Sequence, residues 1–391
     1  MSNELQVALI SGPAFDPLYE CLPAFADATG VKVDVAFRGD HPSLNHHLAT
    51  LTKVPYDLVS THTKYVPSQL GFLAPLNELI EPAGLTDFVP LLLELACVDG
   101  SLYSIPRNID VRLLHFRKDL ICSPPATWDE LLNTARRFNS PPDCFGFIFP
   151  GRESGLFGTF FELAEMAGAH LFPDDLVPDI ANEGGRWALR FLRTCYAEQL
   201  TPRELPEWHY DKVHECFRRG SAAMVGDWPG YYSLYRDHNI SAVHDRLGLS
   251  PYPFGPAGKS LAYGGGHTFA LTKQGAKKVE ALKLQLYLTA REQQLSEARQ
   301  GCVPVRLSVM KQMQGEADEE NRARLAMLEK VIADHILIPP KFARYPEVEE
   351  VLWRTVQRAF LGEIEIDDAL KHMTEQISQI VRGGYRASCR V

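Results

Sequence analysis

The first sixty residues switch repeatedly between the apolar period of a strand and that of a helix, and this rhythm constrains the fold most. Residues 7–10 (V-A-L-I) read as a strand and residues 11–16 as the loop behind it. A helix is expected from about Pro17 to just before Gly30. Val31, Val33, Val35 and Phe37 then alternate with Lys32, Asp34 and Ala36, the period of a half-buried strand. A second helix is expected over residues 43–53 and a third strand over 57–60, leading into Thr61-His62-Thr63. The order β-α-β-α-β implies a parallel sheet with right-handed crossovers.

Ligands of such sheets lie in the crevice beyond the carboxyl ends of the strands. Position alone therefore nominates Phe15, Arg38, Asp40, Thr61 and His62. Plainer roles compete: Phe15 as a packed loop aromatic, and Arg38 with Asp40 as a surface pair of little energy.

Residues 220–232 (G-S-A-A-M-V-G-D-W-P-G-Y-Y) form a second organising stretch. Tyr210, Val213, Cys216 and Phe217 ahead of it have helical spacing, and Gly220 stands where a C-cap glycine belongs. Residues 222–225 suit a buried parallel strand. Asp227, Trp228, Pro229, Gly230, Tyr231 and Tyr232 at its end make a wall fit for a small polar ligand.

Between these stretches, surface helices are expected over 73–80 and 88–95, a hairpin at Asp99-Gly100, and a strand over 111–116. Arg107, Asn108, Asp110 and Arg112 crowd the point where the chain leaves the first lobe. There an Asp110–Arg112 ion pair anchoring a hinge competes with direct ligand contact. Thr127-Trp128-Asp129-Glu130 is a capping box, and Trp128 is read as structural. A strand over 145–150 leads through 151–155 to an apolar helix over 156–167, with Glu153 and Ser154 as second-rank ligand contacts. Further helices are expected over 183–198 and 275–291 and in the C-terminal tail, where Val348, Val351, Leu352, Val356 and Ala359 form one stripe and Leu370, Met373, Ile377 and Ile380 another. Residues 250–256 carry too many prolines for a central strand. In L-A-Y-G-G-G-H-T-F-A-L (residues 261–271), three glycines mark a close backbone approach.

At 391 residues the chain exceeds the roughly 250–300 over which one core grows, so two lobes are expected. A net charge of −9 with no basic run argues against nucleic acid as a partner. No stretch approaches the ~18 apolar residues of a membrane span. The start, M-S-N-E-L-Q-V-A-L-I, reads as the first strand and not as a secretory signal. The eight cysteines (Cys21, Cys97, Cys122, Cys144, Cys195, Cys216, Cys302 and Cys389) contain no C-x-x-C, so buried free thiols are expected, with one or two disulfides open in an oxidising compartment.

Catalytic signatures are missing: no G-x-S-x-G, H-E-x-x-H or phosphate loop occurs, and Gly264–Gly266 opens no helix. Of thirteen histidines, His46 and His47 are adjacent, and His209 and His214 are five apart, so neither pair shares one helical face. Neither a metal nor a cofactor is expected.

Several segments, in order, resemble the family 1 extracellular solute-binding proteins, the sugar-type receptors of ABC importers. They are G-S-L-Y-S-I-P (100–106), D-V-R-L-L-H-F-R-K-D-L (110–120), P-A-T-W-D-E-L-L (125–132), F-R-R-G-S-A-A-M-V-G-D-W (217–228), Y-G-G-G-H-T-F-A-L (263–271) and G-C-V-P-V-R (301–306). The resemblance spans almost the whole chain. It implies an α/β, two-lobed periplasmic-binding-protein-like fold of the class II type, with the ligand enclosed between lobes that close by hinge motion. The lobes would be residues 1–112 plus 259–308 and residues 113–258 plus 309–391, with crossings near 110–118, 252–260 and 305–315.

Under that resemblance the site comprises Phe15, Arg38, Asp40, Thr61, His62, Arg107, Asp110, Asp227, Trp228, Tyr231, Gly265, Gly266, His267 and Arg306. Trp228 would stack on a sugar ring, Gly264–Gly266 would offer backbone amides, and Arg306 would face the cleft or the hinge. His267 stands where many sugar-type members carry an aromatic. With Arg38, Arg107, Arg112, Arg306 and His62 it would give a cationic cleft, which leaves an acidic sugar or polyhydroxylated acid open beside a neutral sugar. The implied function is a non-catalytic, monomeric receptor, periplasmic or at the cell surface, that passes a carbohydrate-like solute to membrane permease subunits. A soluble carbohydrate-active enzyme and a cytoplasmic small-molecule sensor are the rival functions.

Overall fold

A computed structural model describes residues 4–388 of the chain, apart from the side chains of Pro13 and of residues 384–388. The chain forms two compact units. Of the described residues, 4–110, 265–325 and 341–343 make the first, and 111–264, 326–340 and 344–388 the second. Two crossings fall later than the expected 252–260 and 305–315, at 264/265 and 325/326. Pairing explains the first difference, since Ala262 and Tyr263 align with Ile336 and Leu337 of the second unit. Packing explains the other: Val309 and Met313 of helix Leu307–Glu316 share a buried cluster with Ala298.

The first unit is built on a five-stranded sheet in the order Lys32–Gly39, Glu4–Ile10, Leu58–His62, His267–Leu271, Ile105–Pro106. The first three strands are parallel, as the β-α-β-α-β rhythm requires. The fourth is antiparallel to the third and sets His267 beside His62. The first crossover is two short helices, Asp16–Glu20 and Leu22–Thr29, the second ending at Gly30 with φ 68°. Residues 73–80 are not the expected helix. Leu73 bridges to Thr272, and Leu73, Ala74, Leu76 and Ile80 are buried, because Pro75 denies a helix its amide and the segment pairs with the end of strand His267–Leu271. At the hairpin Cys97–Val98 to Ser101–Leu102, Asp99 (φ 48°) and Gly100 (φ 77°) supply the two positive-φ positions of a type I′ turn.

The second unit carries a four-stranded sheet in the order Leu247–Ser250, Leu113–Arg117, Ala222–Asp227, Phe145–Ile148. Ala222–Asp227 is parallel to Phe145–Ile148 and antiparallel to Leu113–Arg117. Helix Tyr210–Arg218 feeds it through Gly220, at φ 80°. Thr127 accepts a hydrogen bond from the Glu130 amide (3.2 Å), while Glu130 reaches the amide of Ala126 (2.8 Å) instead of that of Thr127. Helix Glu153–Met166 is buried almost all round and packs on helices Glu183–Ala197 and Tyr345–Leu361. In the tail, Val348, Leu352, Val356, Ala359, Leu370, Met373 and Ile377 are buried, while Val351 and Ile380 are half-buried. The seven described cysteines are all free thiols; Cys389 lies outside the described residues.

Candidate solute-binding site

In the second unit the strand Ala222–Asp227 ends in an aromatic platform. Trp228 lies 5.3 Å from the Tyr210 ring and 5.8 Å from the Tyr263 ring, tilted by 55° and 53°. The Arg112 guanidinium sits behind all three, 5.4 Å from the Trp228 and Tyr263 rings and 5.9 Å from Tyr210. Arg112 is fully buried and pairs with Glu162 at 3.3 Å, not with Asp110. Its Nη1 donates to Thr159 Oγ1 (2.9 Å), and its backbone amide donates to the Tyr263 carbonyl (3.1 Å). Glu162 Oε1 accepts from the Tyr263 amide (2.7 Å), so one buried pair fixes both the ring and the backbone of Tyr263. Burial pushes the Glu162 carboxyl up to about 7, against the pull of Arg112. Gly158 makes room for this: a Cβ there would sit 2.1 Å from Arg112 Nη2.

Asp227 and Tyr231 are buried in the interior of this unit. Asp227 is fully buried, its Oδ1 accepting from the Trp228 amide (2.8 Å) and its Oδ2 from the Tyr235 hydroxyl. Desolvation pushes its carboxyl up to about 7. The Tyr231 ring stacks on His214 at 4.0 Å, turned towards helix Tyr210–Arg218.

In the first unit three imidazoles converge. The ring centroid of His267 lies 5.2 Å from those of His62 and His41, and His62 and His41 are 5.5 Å apart, all near-perpendicular. Phe15 meets His267 edge-on at 5.3 Å, and Tyr65 stacks on His41 at 5.5 Å. His62 Nδ1 accepts from the Lys64 amide (3.3 Å), which leaves Nε2 carrying the proton. Burial lowers the His62 basicity, with His267 and Lys64 adding to the effect. Burial, Arg107 and Lys64 hold His267 at about 3. Both rings are therefore neutral at pH 7.

The glycines of Y-G-G-G-H serve this cluster. A Cβ on Gly265 would lie 2.4 Å from His62 Cε1 and 2.8 Å from Nε2, and one on Gly266 would lie 2.6 Å from the Asn108 carbonyl oxygen. The close approach read from the sequence is thus made by protein groups. Gly265→Ala is expected to displace the His62 ring and weaken solute binding at least tenfold, checked by calorimetric titration.

The remaining nominees have structural partners. Asp40 caps helix His41–Thr50 through the Ser43 amide (3.0 Å). Thr61 is buried and donates to Gln69 Oε1 (2.6 Å). Arg306 donates to the Thr289 carbonyl (2.7 Å) and pairs with Asp87 (3.3 Å) over the Phe88 ring. Asp110 accepts from Asn108 Nδ2 (2.5 Å), and burial raises its carboxyl to about 6. Arg107 lies 5.0 Å over the Phe15 ring and pairs with Glu297 at 3.0 Å, both buried.

The expected cationic cleft is not what these pairs make. Arg38 meets Asp16 (3.3 Å), Arg107 meets Glu297, Arg112 meets Glu162 and Arg306 meets Asp87. Each nominated arginine is matched by a carboxylate within its own unit, and the two nominated histidines are kept neutral. Sequence reasoning missed His41, Tyr210 and Tyr263. Among the described residues, no group of three His, Cys, Asp or Glu side chains is arranged to hold a metal ion.

A family model for bacterial extracellular solute-binding proteins matches residues 22–323. The chain belongs to this family. It is 26% identical to the maltooligosaccharide ABC transporter solute-binding lipoprotein of Streptococcus pneumoniae, over 70% of this chain and 66% of that one. Among solved structures, maltose-bound MalE3 of T. maritima superposes with a TM-score of 0.88 at 24% identity, over 96% of this chain and 99% of that one. A ribitol complex of an ABC transporter solute-binding protein from Agrobacterium radiobacter K84 gives 0.83 at 21% identity, over 96% and 98%. These likenesses place the fold with the maltose-binding type of solute-binding protein.

Proposed function

We propose that the chain is the solute receptor of an ABC importer, that it binds a neutral carbohydrate or polyol, and that it passes this solute unchanged to membrane permease subunits. The observation that carries the neutral assignment is the pairing of Arg38, Arg107, Arg112 and Arg306 with Asp16, Glu297, Glu162 and Asp87. A solute bearing a carboxylate would have to compete with a protein carboxylate for each guanidinium. The tilted rings of Trp228, Tyr210 and Tyr263 suit the C–H face of a sugar, and the neutral imidazoles suit its hydroxyls, His267 with one donor and one acceptor and His62 with a donor at Nε2. Glu162 and Asp227 are committed to protein partners, which favours binding over acid–base chemistry at the platform.

The receptor is proposed to act as a monomer in the periplasm or at the cell surface. A thermal-shift panel of maltose, maltotriose, ribitol, mannitol, gluconate and glucuronate tests this. A ligand at 100 times its dissociation constant adds about 2.7 kcal/mol of stability, so a neutral member is expected to raise the melting temperature by several degrees. Stabilisation by the two acids alone, or turnover of a bound sugar, would overturn the proposal.

A further inference from the structure

In the second unit one buried cation serves two buried carboxyls, so the charges do not balance when both acids are ionised. Arg112, Glu162 and Asp227 are all fully buried. Glu162 has the stronger claim on the guanidinium: its Oε1 lies 3.3 Å from Arg112 Nε and also accepts from the Tyr263 amide at 2.7 Å. Asp227 ends strand Ala222–Asp227 and accepts from two neutral donors, the Trp228 amide (2.8 Å) and the Tyr235 hydroxyl. Arg112 draws on it through charge, and not enough to offset its burial.

The groups facing Asp227 do not supply the missing charge. Tyr210 and Tyr252 interact with both acids, but burial keeps the two phenols protonated, and the buried Tyr210 hydroxyl bonds to neither acid. From helix Tyr210–Arg218, Asp211 adds a further negative charge, and His214, lowered to about 4 by burial, is neutral above that value. From strand Leu113–Arg117, the His115 ring meets Tyr235 edge-on at 5.4 Å. A buried carboxylate without its own counter-charge is costly enough that the group takes up a proton instead. Burial carries both acids up to about 7, and pairing with Arg112 makes Glu162 the one left ionised.

We propose that Asp227 is a proton-binding site, filled in mildly acidic medium and emptied above neutrality, and that emptying it destabilises the second unit at the strand end that carries Trp228. With the proton in place, Asp227 and the Tyr235 hydroxyl share an O–H···O bond, and the other oxygen still accepts from the Trp228 amide. Without the proton, two carboxylates compete for one guanidinium. An acid raised by folding holds its proton more tightly in the folded chain. Its stabilisation is therefore complete below about pH 4 and is lost as the pH rises to about 7. His62, His214 and His267, all lowered by burial, act in the opposite sense, since their contribution is lost as the pH falls below the usual histidine value.

Asp227→Asn isolates the group. Its amide copies the protonated acid, with an oxygen for the Trp228 amide and an N–H for the Tyr235 oxygen, and it cannot ionise. Melting temperatures of the full wild-type chain and of the variant, without solute, are read by scanning calorimetry from about pH 5 to about pH 8. The wild type is expected to lose about 4 °C or more relative to the variant across that range. The histidines, and the buried acids Asp110 and Glu297 of the first unit, are common to both chains and cancel in the difference. Glu162→Gln is the second arm. It leaves Arg112 to Asp227 alone, so this variant is expected to melt below wild type throughout while its own loss between the two pH values shrinks. A difference between wild type and Asp227→Asn that is the same at every pH would mark Asp227 as merely structural, or give the proton to another group such as His115, and would overturn the proposal. If Asp227→Asn does not fold, infrared spectroscopy at about pH 6 decides: a protonated-carboxyl band weaker in Glu162→Gln than in wild type supports the site, and equal bands overturn it. No solute enters these measurements, so failure here leaves the receptor function standing.

Discussion

Arg112→Ala is expected to lower the melting temperature of the second unit by roughly 6–20 °C. Removing one partner of a buried pair costs about 3–5 kcal/mol, and each kcal/mol corresponds to roughly 2–4 °C in a unit of this size. Three losses add up here. Glu162 loses its counter-charge at 3.3 Å, Thr159 loses a donor at 2.9 Å, and the rings of Tyr210, Trp228 and Tyr263 lose the guanidinium behind them. The paired change Arg112→Met with Glu162→Gln removes both charges, keeps an acceptor for the Tyr263 amide, and is expected to recover most of the stability. Differential scanning calorimetry of the two variants checks this. A shift below about 3 °C for Arg112→Ala would show that the pair does not support the platform.

Trp228→Ala has the opposite profile. Trp228 is half-buried at the end of its strand and acts as the outer face of the platform. Its loss is expected to weaken solute binding at least thirtyfold, about 2 kcal/mol for a large aromatic contact, with the melting temperature of the free protein changed by about 2 °C or less. Titration of the variant with the best panel member reads the first quantity and a thermal melt the second. Undiminished affinity would place the solute elsewhere.

The contrast between these variants reflects what the chain makes legible and what it hides. Local chemistry is readable from neighbours in sequence: Thr127 with Glu130, the Asp99-Gly100 turn, the C-cap at Gly220, and Trp228 as the residue after a buried strand. Long-range pairing is not. Arg306 finds Asp87 and Arg107 finds Glu297 across some two hundred residues, and nothing near either arginine announces a carboxylate partner. Reading the arginines without their partners made the site look cationic. Asp40, Thr61 and Asp227 sit at the ends or flanks of strands, where a ligand contact is expected, but their side chains satisfy a helix end, a buried glutamine and a buried tyrosine. The place of His41 is not legible in the sequence, because it comes from the approach of a helix end to two paired strands, which depends on register and packing. Tyr263 reads in the sequence as one more strand residue, since its value lies in a carbonyl bonded to Arg112 and an amide bonded to Glu162.

Solute charge is the point on which the account depends most. The direct measurement is calorimetric titration of the wild-type chain with matched neutral and carboxylate solutes, mannitol against gluconate and maltose against maltobionate, at low and high salt. Compensated arginines and neutral imidazoles predict that the neutral member of the better pair binds at least tenfold more tightly and that its affinity is almost independent of salt. Tighter binding of the carboxylate member, weakening as salt is added, would contradict the account.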